Sequence, residues 1–148
     1  MNYRKLLLSK RKKIAVWGTG YIGLSTMVYF AKKNVKSVGF DVDYKKIKQI
    51  NSGILPIPEL KNWFGFDIKN FSKRKLIHAT NDYKDILTDD YLVHFIAIPT
   101  EKDGKPYFKI LYEVLKRISE LKKLSLDRKP LIIIESTLTP QFTEKKII

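Results

Sequence analysis

The 148-residue chain has no cysteine, only two histidines and 15 acidic residues against 29 basic ones. The missing cysteine excludes disulfides, thiolate metal sites and a cysteine nucleophile within the chain. The two histidines, His78 and His94, fall away from the C-terminal ends of the strands expected around them, which is where open α/β sheets bind ligands. Each reads as a packed or surface ring, with catalysis the rival reading. No apolar run approaches the ~20 residues of a membrane span, and Leu6-Leu7-Leu8 is too short for a signal-peptide core. The expectation is a soluble, unexported, cytoplasmic chain without a membrane span. No metal-ligand spacing is present, and the adjacent Asp89-Asp90 pair reads as solvated loop acids.

Hydrophobic residues make up 44% of the chain, enough for a packed core. A single domain of this size buries about 70% of the surface its unfolded chain exposes. The net charge of +14 is uneven: residues 1–13 carry +6 without an acid, and the remainder carries +8. Elsewhere the lysines fall in scattered pairs such as Lys32-Lys33 and Lys122-Lys123, the pattern of solvated helix faces. Nucleic acid is therefore not the expected partner, although residues 1–12, read as a frayed or loosely docked basic arm, could attract a polyanion in a salt-sensitive way.

An apolar run over 13–17 leads into three glycines spaced G-x-G-x-x-G, Gly18, Gly20 and Gly23, and then into a helical pattern over 21–33. In a dinucleotide-binding turn the first glycine permits the tight bend, the second lets a pyrophosphate approach the backbone, and the third allows close helix–strand packing. The helix beyond it offers unpaired N–H groups and the positive end of its dipole to an anion. The same motif also suits a strand-to-helix turn without a ligand, so the flanking sequence decides. A second strand over 37–41 ends in Asp41, 18 residues after Gly23. This is near the spacing at which a carboxylate receives the adenosine ribose hydroxyls, and there it would repel a 2′-phosphate, favouring NAD over NADP. Asp43, directly before a helical stretch over 44–51, is assigned the capping role and Asp41 the ribose.

Gly53 ends that helix, Pro56 and Pro58 extend the path, and 70–75 reads as a polar loop. A short strand over 76–80 is followed by a brief helix capped by Asn81 or Asp82. The apolar strand over 91–98 stops at Pro99-Thr100, and Asp103-Gly104 marks a turn within the loop 101–106. An amphipathic helix over 107–123 and a strand over 131–134 come next. Thr139-Pro140 resembles the start of another helix, whose apolar end, Ile147-Ile148, hints at a partner. The order predicts a Rossmann-like, doubly wound, mainly parallel α/β sheet in one domain over 13–148.

Six segments together resemble the N-terminal domain of the UDP-glucose/GDP-mannose dehydrogenases: GTGYIGLS at 18–25, GFDVD at 39–43, NSGILPIPE at 51–59, ATNDY at 79–83, AIPTEKDG at 97–104 and ESTLTP at 135–140. The resemblance implies that residues 18–23 hold the pyrophosphate of NAD: Gly18, Thr19, Gly20, Tyr21, Ile22 and Gly23, with backbone contacts from Tyr21 and Ile22. It implies Asp41 and Lys46 at the adenosine ribose. Ile96, Ala97, Ile98, Pro99 and Thr100 would line the cleft, with Ser136, Thr137 and Leu138 near the nicotinamide. Glu135 shares that last motif but receives no role.

Two departures stand out. Thr139-Pro140-Gln141 replaces the family's usual Pro-Pro-Gly, which is expected to reshape that loop, and Glu101 replaces the last residue of Pro-Thr-Pro. The family oxidises a sugar's primary alcohol in two hydride transfers to NAD, using a cysteine nucleophile and a lysine and an asparagine from later regions. With no cysteine here, the expectation is a truncated or split form that binds NAD without turnover, with a separately encoded substrate domain or a homo-oligomer as the candidate partner. A noncatalytic NAD-binding module and a polyanion-binding protein are the rival readings.

Overall fold

A computed structural model describes residues 3–9, 11–120 and 130–146. Its main sheet comprises β1 (Lys13–Trp17), β2 (Ser37–Phe40), β3 (Ile77–Thr80), β4 (Tyr91–Ile96) and β7 (Leu131–Ile134). Their spatial order is β3-β2-β1-β4-β7, and every pairing is parallel. From β1 the chain winds outward to β2 and β3, then returns to the other side for β4 and β7. The direction of winding therefore reverses between β1 and β4, and crevices at such reversals take ligands.

Both faces of the sheet are covered, which explains the strands' continuous apolar runs. Successive β1 residues point to opposite faces. Ile14 and Val16 join one core with α2 (Tyr21–Lys32), α3 (Tyr44–Asn51) and the short α4 (Leu60–Phe64). Ala15 and Trp17 join another with α6 (Lys109–Ser119), through Leu111, Val114 and Ile118. All six residues of β4 are buried between these layers. On the outer edge of β3, the Asn51 amide takes the place of a neighbouring strand: its Nδ2 donates to the Ala79 carbonyl at 2.9 Å, and the Ala79 N–H donates to Oδ1 at 2.8 Å.

Several local expectations need revision. Residues Tyr3–Leu8 form α1, whose Leu7 is buried in the first core and whose Leu6 packs against it. The arm is docked as well as basic: Lys12 Nζ donates to the Asp89 carbonyl, and Lys13 Nζ pairs with Asp90 at 3.2 Å. The Asp89 carbonyl and the Asp90 carboxylate thus meet Lys12 and Lys13, while both acids stay exposed as expected of a solvated loop. The polar segment after residue 69 contains a helical turn, α5 (Lys69–Lys73), because Phe71 packs on Phe66 and the Ser72 hydroxyl donates to the Ile50 carbonyl at 2.8 Å. Strand β4 ends two residues before the expected 98. Beyond it, β5 (Glu101–Lys102) and β6 (Lys105–Pro106) make a hairpin, with Asp103 and Gly104 at positive φ as its tight turn requires. Residues 121–123, the expected end of α6, and Ile147-Ile148 lie outside the described residues. Helix α7 (Phe142–Lys146) begins two residues later than expected because Gln141 sits at φ +63°, outside helical space. Among the described residues no helix is long and apolar enough to cross a membrane.

Gln141 occupies the position where the resemblance expects glycine, and its left-handed backbone is costly for a side chain. Gln141→Gly should raise unfolding free energy by about 1 kcal/mol in urea titrations. An unchanged or lower value would contradict the strain.

His94 is fully buried, accepts the Trp17 indole N–H on Nδ1 at 3.1 Å, and leaves Nε2 without a partner. Burial pushes its pKa from 6.5 down to about 4. Above pH 6.5 the ring is neutral in both folded and unfolded chains. Below it the unfolded chain takes up the proton first, so stability falls until about pH 4. Between pH 6.5 and 5 this contributes a loss of about 2 kcal/mol. The fall should be correspondingly shallower in His94→Phe, and equal slopes would refute the assignment.

Candidate cofactor site

The three glycines of the β1–α2 turn play different parts. Gly18 has φ +89°, donates its N–H to the Phe40 carbonyl at 2.8 Å, and has the Ala97 carbonyl where a Cβ would stand. At Gly23 a Cβ would collide with the Gly18 carbonyl, so α2 rests directly on the loop. Gly20 differs from both. Its φ of −73° is open to any residue, and a Cβ there would meet nothing within 4 Å. Neither conformation nor packing requires glycine at this point. The space at its Cβ position is open.

Gly20 is also the N-cap of α2, with no side-chain cap and no acidic residue in the first turn. The first N–H groups of a helix lack intrahelical acceptors, so the open space above Gly20 faces donors and the positive end of a helix dipole. Tyr21 and Ile22 have exposed side chains beside it. These features fit a pyrophosphate cradle.

Thr19 is fully buried and braces the turn. Its N–H and hydroxyl both donate to Asp41 Oδ2, at 2.8 and 2.7 Å, while the Asp43 N–H donates to Oδ1 at 2.9 Å. Lys46 Nζ lies 4.0 Å from Oδ2. Burial alone would raise the Asp41 pKa. The Asp43 N–H, the Thr19 hydroxyl and N–H, and the Lys46 cation outweigh it and hold the carboxyl below its ordinary range. Asp41 therefore stays ionised, with about one of its four acceptor positions left open. Asp43 caps α3, accepting the Lys45 and Lys46 N–H groups at 2.9 and 3.3 Å, as expected from sequence.

Because the sheet is parallel, the ends of β1, β2, β4 and β7 share one edge, and every cofactor residue expected from the sequence lies there or in the first turns beyond it. Ile96 is fully buried in the second core, beneath the half-buried Ala97 and Ile98; Pro99 is exposed and Thr100 buried. The Ser136 hydroxyl accepts the Ile98 N–H at 3.0 Å and donates to the Ile98 carbonyl at 2.8 Å. Thr100 Oγ1 donates to the Thr137 carbonyl at 2.6 Å. Leu138 packs against the second core. The structure also shows a contact that sequence reading missed: Thr26 Oγ1, on α2, lies 3.1 and 2.9 Å from the two Glu135 carboxylate oxygens. No local signal marks a pair 109 residues apart. Among the described residues, no three His, Cys, Asp or Glu side chains converge to hold a metal.

The family model for the NAD-binding domain of the UDP-glucose/GDP-mannose dehydrogenases matches residues 12–148. The chain is 33% identical over 135 residues to the UDP-N-acetyl-D-mannosamine dehydrogenase of Pyrococcus horikoshii, covering 90% of this chain and 30% of that protein. It is 32% identical over 134 residues to the UDP-glucose 6-dehydrogenase of Campylobacter jejuni, covering 89% and 32%. Among solved structures, the ternary complex of GDP-mannose dehydrogenase from Pseudomonas aeruginosa superimposes with a TM-score of 0.75 at 25% identity, covering 90% of this chain and 30% of that one. The chain thus spans about 30% of the length of these relatives. With a family match running through nearly all of its residues and a fold shared with a solved member, the protein belongs to the UDP-glucose/GDP-mannose dehydrogenase family, whose NAD-binding domain it carries.

Proposed function

We propose that this chain is the cofactor-binding part of a nucleotide-sugar 6-dehydrogenase, acting on the CH–OH group of a UDP- or GDP-sugar with NAD as acceptor. Gly18 to Gly23 hold the pyrophosphate, Asp41 and Lys46 the adenosine ribose, and residues 97–100 and 136–138 the nicotinamide side, with Ile96 supporting them from the core rather than lining the cleft. The observation that carries this reading is Gly20: an open approach at an uncapped helix N-terminus, on the same sheet edge as an ionised Asp41. Bound NAD supplies a hydride acceptor. The residues of this chain bind and orient it, and the Asp41 carboxylate disfavours the 2′-phosphate of NADP. The covalent chemistry of the sugar needs a cysteine nucleophile, which these 148 residues do not contain. In this reading the chain on its own binds NAD without turning over a sugar, and a substrate domain supplies the rest.

Gly20→Ala separates binding from folding. It should melt with the wild type, yet weaken NAD by more than about tenfold in titration calorimetry, because its methyl group occupies the approach of the pyrophosphate. Unchanged affinity would sink the assignment. Gly23→Ala should instead lose about 1–3 kcal/mol of stability through its collision with the Gly18 carbonyl.

Wild-type protein should bind NAD more tightly than NADP, and Asp41→Asn should narrow the gap by weakening NAD and easing the 2′-phosphate. Equal wild-type affinities for the two dinucleotides would count against Asp41 at the ribose.

A further inference from the structure

We propose that Thr26 and Glu135 form a strut that positions the nicotinamide-side loop against the phosphate-binding helix, fixing the separation of the two halves of the bound dinucleotide; this rests on the cofactor reading above. Glu135 is the first residue after β7, and its N–H continues the ladder by donating to the Ile96 carbonyl at 2.8 Å. Strand β4 lies between β1 and β7, so the ends of those two strands are separated by two strand spacings, about 10 Å. The Thr26 hydroxyl on α2, the helix that follows β1, meets the Glu135 carboxylate directly, with both carboxylate oxygens within 3.1 Å of Oγ1.

The next two residues are held from the other side. Ser136 is bonded to the backbone of Ile98 in both directions, and the Thr137 carbonyl accepts the Thr100 hydroxyl. Residues 135–137 are therefore pinned to the end of β4 by backbone and hydroxyl contacts, and to α2 by Glu135 alone of the three. The carboxylate is half-buried and, among the described residues, has no lysine or arginine partner. Burial raises its pKa while the Thr26 hydroxyl opposes that rise. A half-buried carboxylate met by one hydroxyl is a weak source of net stability. Its geometric effect is larger, because it ties the loop at one end of the cleft to the helix that carries the pyrophosphate cradle.

The strut acts on the nicotinamide side, so it should separate the affinity for NAD from that for ADP, which lacks that half. Calorimetric titration of the full chain with each ligand, in Thr26→Val, Glu135→Ala, Glu135→Gln and the double variant Thr26→Val/Glu135→Ala, provides the test. Thr26→Val and Glu135→Ala should each weaken NAD about three- to tenfold, the range of one lost hydrogen bond, with ADP affinity unchanged. The double variant should be no worse than either single one, since both remove the same contact. Glu135→Gln should bind NAD like the wild type, because its amide oxygen still accepts from Thr26. Unchanged NAD affinity in both single variants, additive losses, or parallel losses for NAD and ADP would overturn the strut. A wild-type chain that binds neither ligand overturns the cofactor reading and the strut's purpose with it, and is recognised before any variant is made.

Discussion

Between Gly23 and the carbonyl of Gly18 there is no room for a methyl group, and the arrangement of the site depends on that closeness. It seats α2 directly on the turn that leaves β1, so the N-terminus of the helix emerges at the sheet edge where the winding reverses. The turn is held from the side by Asp41, whose carboxylate takes both the N–H and the hydroxyl of Thr19. Asp41 thus has a structural role in addition to the one proposed for it at the ribose. Ionisation, which disfavours a 2′-phosphate, is the same property that strengthens its grip on Thr19.

The sheet places the remaining pieces without further devices. Four parallel strand ends meet on one edge, and short side-chain bonds join them: Ser136 to Ile98, Thr100 to Thr137, and Glu135 to Thr26. These bonds join the far ends of the chain's long crossovers, so the cleft is assembled by tertiary contacts although each motif is local. The basic arm, docked through Leu7 and the bond from Lys12 to the Asp89 carbonyl, lies with the core rather than with this edge.

Most of what sequence revealed was local. The glycine spacing, the cap at Asp43 and the Asp103-Gly104 turn are set by backbone geometry within a few residues, and each appears where expected. The contacts that escaped it join distant residues: Thr19 to Asp41 across 22 positions and Thr26 to Glu135 across 109. Helix α1 escapes a sequence reading because six residues, YRKLLL, are too few for a helical period, while its docking rests on Leu7 in the core and Leu6 packed against it. Helix α7 was misplaced because the proline signal at 140 is followed by the left-handed Gln141. Periodicity identified the elements, but their docking depended on packing and hydrogen bonds that the local pattern does not encode.

The central claim is that this sheet edge binds NAD along one line from Asp41, past Gly20, to the loop after β7. Backbone amide shifts measured by NMR during titration with NAD test it most directly. The account predicts changes at residues 18–23, 41–46, 97, 98, 100 and 135–138, with few in α1. Changes confined to the basic arm, or none at millimolar NAD, would contradict it.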